Sequence, residues 1–95
     1  MNEQIQALIQ LSNQIAEKAQ LAQIADGFHE YKSSTGFKIK IYFSSEYTIR
    51  SVYFNEDIEV SLNRSRMDIP FDMTNKLLET YIHNAKEFFE TELQF

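Results

Sequence analysis

The chain predicts a two-layer α+β domain: an N-terminal helix, a three- or four-stranded antiparallel meander and a C-terminal helix, with both helices on one sheet face. Between Phe37 and Leu62 three short runs place apolar residues at alternate positions, the spacing of strands with one buried face. On either side, residues 2–25 and 72–95 place apolar residues at three- and four-residue steps, the spacing of amphipathic helices. The 95 residues suffice for one modest core, so sheet and helices must share it as a single domain, residues 1–95.

The first helix is expected from Asn2 to about Ala25, with Ile5, Leu8, Leu11, Ile15, Ala19 and Ala22 as its stripe. Gly27 offers a C-terminal stop, since glycine accepts the left-handed conformation. Leu21 and Ile24 fall on the opposite side of the wheel, taken at about 100° per residue. Either this last turn packs under the Phe28 segment or the helix bends, or the pair makes a candidate patch for a partner or a second subunit. The helix is also mildly rich in glutamine.

An additional edge strand at Phe28–Lys32 would turn through Ser33-Ser34-Thr35-Gly36 into the first clear run. In that run Phe37, Ile39, Ile41 and Phe43 alternate with Lys38, Lys40 and Tyr42, which makes a half-buried strand. The second run is ambiguous, because Tyr47, Ile49, Ser51 and Tyr53 share one side while Thr48, Arg50, Val52 and Phe54 share the other. Placing the tyrosine side inward gives a three-residue loop, Ser44-Ser45-Glu46, that pairs Phe43 with Tyr47, Ile41 with Ile49 and Phe37 with Tyr53. A two-residue loop, Asn55-Glu56, then pairs Tyr53 with Ile58, Ser51 with Val60 and Ile49 with Leu62. Neither loop carries Asn-Gly or Asp-Gly, so this register rests on burial alone. The open face then holds Lys38, Lys40, Tyr42, Arg50, Val52, Phe54 and Glu59, and the core holds Phe37, Ile41, Ile49, Val60, Leu78 and Phe88.

Residues 63–70 read as a loop that Pro70 either ends or leaves by entering the first turn of the second helix, with Asp68 or Asp72 capping. That helix, from about Asp72 onward, carries Leu77, Leu78, Tyr81, Ile82, Ala85, Phe88 and Phe89 as a wide apolar stripe. Its other face carries Asp72, Lys76, Glu79, His83, Lys86, Glu87 and Glu90.

Chemistry is mostly excluded. The chain has no cysteine, so thiol nucleophiles, thiolate metal sites and disulfides are absent. Its two glycines stand nine positions apart, too far for a phosphate-cradling loop. Its two histidines, His29 and His83, accompany no nucleophile-elbow motif. Glu79, His83 and Glu87 have the four-residue spacing of helical metal ligands, but the same spacing gives an exposed face stabilised by charge pairs. We therefore expect no catalytic residue, metal or cofactor. The sequence shows no leader and no apolar stretch of membrane-spanning length, so a cytoplasmic protein is expected.

Charge discriminates better once it is divided. Glu3, Glu17 and Asp26 against Lys18 give −2 for residues 1–26; residues 27–70 hold six charges of each sign; five acids against Lys76 and Lys86 give −3 for residues 71–95. An acidic helical side favours a basic protein partner. Asp72, Glu79, Glu87 and Glu90 are the candidate partner-binding residues. Lys38, Lys40, Tyr42, Arg50 and Phe54 on the open sheet face are the alternative, for a partner or for nucleic acid.

Helix, meander, helix is also the layout of double-stranded-RNA-binding domains, but the net charge of −5 opposes direct nucleic-acid binding. In size, acidity and lack of catalytic groups the chain resembles phage-encoded inhibitors such as anti-CRISPR proteins, and immunity proteins that neutralise toxic nucleases. That resemblance implies a stoichiometric inhibitor occupying a basic, nucleic-acid-handling surface of a nuclease or nucleoprotein complex. The other expectations are a nucleic-acid-binding module using the open sheet face and a homo-oligomeric accessory protein.

Overall fold

Alternating side chains decide which way each strand faces, and the turns between strands decide which residues meet. In the computed structural model, residues 2–24, 27–44, 49–62 and 66–95 are described, the side chains of residues 2, 49 and 50 excepted. The elements are α1 (Asn2–Leu21), β1 (Gly27–Lys32), β2 (Lys38–Phe43), β3 (Ile49–Phe54), β4 (Ile58–Ser61), β5 (Arg66–Asp68) and α2 (Asn75–Thr91). Among the described residues the sheet is a fully antiparallel meander of five strands, rather than three or four, in the order β1-β2-β3-β4-β5. The extra strand is β5, in the segment expected to be a loop; its Met67 pairs with Val60.

Two turns depart from the expected register. Phe54 pairs with Ile58, so the β3–β4 loop is Asn55-Glu56-Asp57, one residue longer than expected, with Asn55 and Glu56 at φ 53° and 66°. Asn55 fixes this turn to β2: its side chain accepts from Lys38 N at 2.7 Å and its own N–H donates to Lys38 O at 2.9 Å. In the preceding hairpin Phe43 pairs with Ile49, and a β-bulge between Tyr42 and Phe43 shifts the register, so Ile41 pairs with Val52 and not with Ile49. The expected pairing of Phe43 with Tyr47 lies outside the described residues. An odd shift turns a strand over. Val52 and Phe54 are therefore buried, and Ser51 and Tyr53 take the open side, where Ser51 pairs with Tyr42 and Ser61.

The core holds Phe37, Ile39, Ile41, Phe43, Val52, Phe54, Ile58 and Val60 from the sheet, with Leu8, Leu11, Ile15 and Ala19 from α1 and Leu78, Ala85 and Phe88 from α2. The side chain of Ile49 lies outside the described residues. Both helices cover this one face, α1 over β3, β4 and β5. The α2 side meets the other edge: Tyr81 packs edge-on against Phe37 at 5.9 Å, and Phe95, beyond the helix, packs edge-on against Tyr31 at 4.9 Å. The helices run in the same direction. Gln4 donates to Glu79 at their beginnings (3.1 Å), and Lys18 donates to Leu93 O at their ends (2.6 Å).

Helix ends also differ from expectation. α1 stops at Leu21, and Gln23 takes the left-handed conformation (φ 54°), which lets Ile24 turn back onto the core; Gly27 instead opens β1. Residues 70–73 form a turn closed by Met73 N donating to Pro70 O at 3.0 Å. The cap of α2 is therefore Thr74, whose side chain accepts from Leu77 N at 3.1 Å, not Asp68 or Asp72.

Candidate functional site

The outer side of α2 carries the acids singled out from sequence, but the fold divides them. Asp72 lies in the turn before the helix, so the row shortens to Glu79–Glu90, about 16 Å at 1.5 Å per residue. Glu79 and Glu90 border the hollow between α1 and α2. Glu87 borders a different cleft, about 260 Å³, formed with Asn84, Asn55 and the β1–β2 turn. His83 Nε2 lies 3.3 Å from Glu87 Oε2, one helical turn away, and both are exposed. Glu79 accepts from Gln4 instead of joining them. Among the described residues no group of three histidines, cysteines, aspartates or glutamates is placed to hold a metal.

Glu92, which had no assigned role, ties the fold together. Its carboxylate accepts from Ser34 N at 2.8 Å and from Ser34 Oγ at 3.1 Å, fastening the β1–β2 turn to the end of α2. Leu93 follows it into the core.

The uncovered sheet face has its own centre. Phe28, 60% exposed on edge strand β1, packs against Tyr42 at 4.7 Å and Tyr53 at 6.1 Å. Lys40 Nζ stands 5.4 Å from the Phe28 ring centroid and 5.5 Å from that of Tyr53, and pairs with Glu56 at 3.5 Å. Glu59 accepts from Ser51 Oγ at 3.2 Å and from Tyr53 OH at 3.3 Å. Burial first, then the Glu59 charge, raises the Tyr53 phenol above its ordinary pKa.

Lys38, Lys40, Tyr42 and Glu59 therefore stand on the open face as expected, whereas Phe54 and Val52 do not. The Arg50 side chain lies outside the described residues. Two aromatics that do face outward lay outside the expected open face: Tyr53, because β3 turns its other side to the core, and Phe28, because β1 is an edge strand whose sequence alternates too weakly to assign its faces. Phe71 was missed as well: it is fully exposed in the turn before α2, where no periodicity marks it.

Of the pair Leu21 and Ile24, Leu21 is 82% exposed while Ile24 is half-buried against the core, so they do not form one patch. Among the described residues no helix is long and apolar enough to cross a membrane. Comparison with protein-family models, curated proteins and solved structures gave no match to this chain.

Proposed function

We propose that this chain is an acidic, non-enzymatic binding protein whose helical side occupies a basic surface of a protein partner and stoichiometrically blocks it. One observation carries the reading: residues 27–70, which supply the sheet, are formally neutral, and the whole net charge of −5 belongs to the segments that supply the helices. Glu3, Glu17, Glu79, Glu87 and Glu90 are exposed there, while Lys18 is turned inward onto Leu93 O. Opposed potentials speed encounter and fix orientation. A surface that handles nucleic acid, on a nuclease or a nucleoprotein complex, has the complementary sign, and the likeness in size and acidity to anti-CRISPR and immunity proteins supports the same role.

The Phe28–Tyr42–Tyr53 cluster favours a second reading, in which the open sheet face stacks on a nucleobase or a partner's ring. Its charges are largely satisfied within the face, Lys40 by Glu56 and Arg66 by Asp68 at 3.2 Å.

Capture of partners by three immobilised forms separates the two: the unaltered chain, a helix variant (Glu79→Lys, Glu87→Lys, Glu90→Lys) and a sheet variant (Phe28→Ala, Tyr42→Ala, Lys40→Glu). The helix variant should lose its partner and keep its fold, because none of the three acids reaches the core. Capture should also weaken as salt rises, since exposed charges are screened beyond about 8–10 Å at physiological ionic strength. Loss only in the sheet variant would move the site to the open face.

A further inference from the structure

Between α1 and α2, on the side away from the sheet, three hollows of about 520, 410 and 290 Å³ adjoin one another. The first two share Ala7, Ile82 and Lys86, and the last two share Gln14 and Phe89, so they form one groove. It extends from Glu3 to Leu21 along α1, a rise of about 27 Å. Ala7 and Leu11 of α1 and Ile82 and Phe89 of α2 make its floor. Ala7 lines both of the larger hollows.

From this we infer that the groove is a seat for one amphipathic helix of a protein partner, apolar on the face toward the floor and basic along both flanks. The inference rests on the acidic helical side being the docking side, and names the kind of element that docks. Length is the first argument: about 27 Å accommodates roughly 18 helical residues, or five turns, enough for an i, i+3, i+4, i+7 row of anchors. Charge is the second. Glu3 and Glu79 border one end, and Glu17 and Glu90 border the other half. Lys86 is the single cation free to face the groove among the described residues, because Lys18 donates to Leu93 O and lies 5.4 Å from the Phe89 ring centroid. A second copy of this chain would bring its own glutamates against these, and an anionic membrane or nucleic acid would be repelled in the same way. A lysine- or arginine-flanked helix is attracted. The glutamine bias of α1 then finds a use, since Gln10 and Gln14 line the groove one turn apart and offer adaptable donors and acceptors to such flanks.

Titration with synthetic peptides of about 18 residues, followed by amide chemical shifts, tests this. The probe has leucine on one helical face and lysine elsewhere; a scrambled peptide of the same composition removes the amphipathic face; a third peptide replaces lysine by glutamate. The amphipathic basic peptide should bind saturably and shift Ala7, Leu11, Ile82 and Phe89, and the glutamate peptide should not bind. Ala7→Lys, which places bulk and like charge in the groove, should weaken binding about tenfold. Gln14→Lys should do so as well, as a second variant at an exposed position on the groove. Equal binding of the scrambled peptide would overturn the groove while leaving the acidic docking side intact. Shifts confined to Phe28, Tyr42 and Tyr53, or no binding of either lysine peptide, would overturn the groove and the docking side together.

Discussion

Tyr53 sits between two demands: its ring packs beside Phe28 and under Lys40, and its hydroxyl reaches an anionic partner, Glu59. Tyr31 and Tyr81 are also shifted upward, both chiefly by burial, and Tyr81 additionally by its hydrogen bond to Asp57. A phenol whose folded pKa is raised stabilises the fold fully below its unfolded value, 10.0, and the contribution is lost as pH rises through the folded pKa. Stability should therefore fall at alkaline pH. A phenolate absorbance titration should place these three tyrosines above 10.0, and Glu59→Gln should lower Tyr53 toward that value. Phe54 makes a complementary case on the other sheet face, where it is fully buried. Phe54→Ala should cost about 3–5 kcal/mol, measured by urea unfolding, whereas Tyr53→Ala should cost clearly less. The reverse ranking would mean that β3 faces the other way.

Each helix was readable where its apolar stripe was long: Leu8, Leu11 and Ile15 in α1 and Leu78, Ala85 and Phe88 in α2 are buried as their spacing requires. Their ends were not readable, because capping depends on where a turn finishes. The turn closed by Met73 and Pro70 consumes Asp72 and leaves Thr74 as the cap. Thr74→Ala should then cost about 1 kcal/mol, or roughly 4–8 °C in melting temperature for a domain of this size, while Asp72→Ala should cost little. β2 was legible from its strict alternation. β3 was not, because both of its sides carry large apolar groups, and one extra loop residue at Asp57 together with one bulge chose the side with Val52 and Phe54. β5 spans three residues, too few for a period to register. The candidate site inherited these errors: Glu79, Glu87 and Glu90 are exposed on α2, but Asp72 lies outside the helix, and the open face carries Phe28 and Tyr53 where Phe54 was expected.

In the whole molecule an odd number of strands separates the helices, so α1 and α2 run in the same direction and the groove between them has both helix beginnings at one end. The same strand order carries a consequence for how the chain reaches this state. Every strand pairs only with its neighbours in sequence, so the sheet can assemble from short-range hairpins, each closed at little entropic cost. The hydrogen bonds that tie α1 to α2 and to the residues just beyond it join positions 71–75 apart and close long loops. The sheet should therefore form in the folding transition state, with α1 docking after it. Val52→Ala, in the meander, should slow folding, and Ile15→Val, on α1, should mainly speed unfolding, as stopped-flow rates in denaturant would show. The opposite pattern would mean that the helices dock first. Because a late-docking element is the first to leave, slow exchange of amide hydrogens should fail first along α1, and a partner seated between the helices would then act as a clamp on the domain's least protected element.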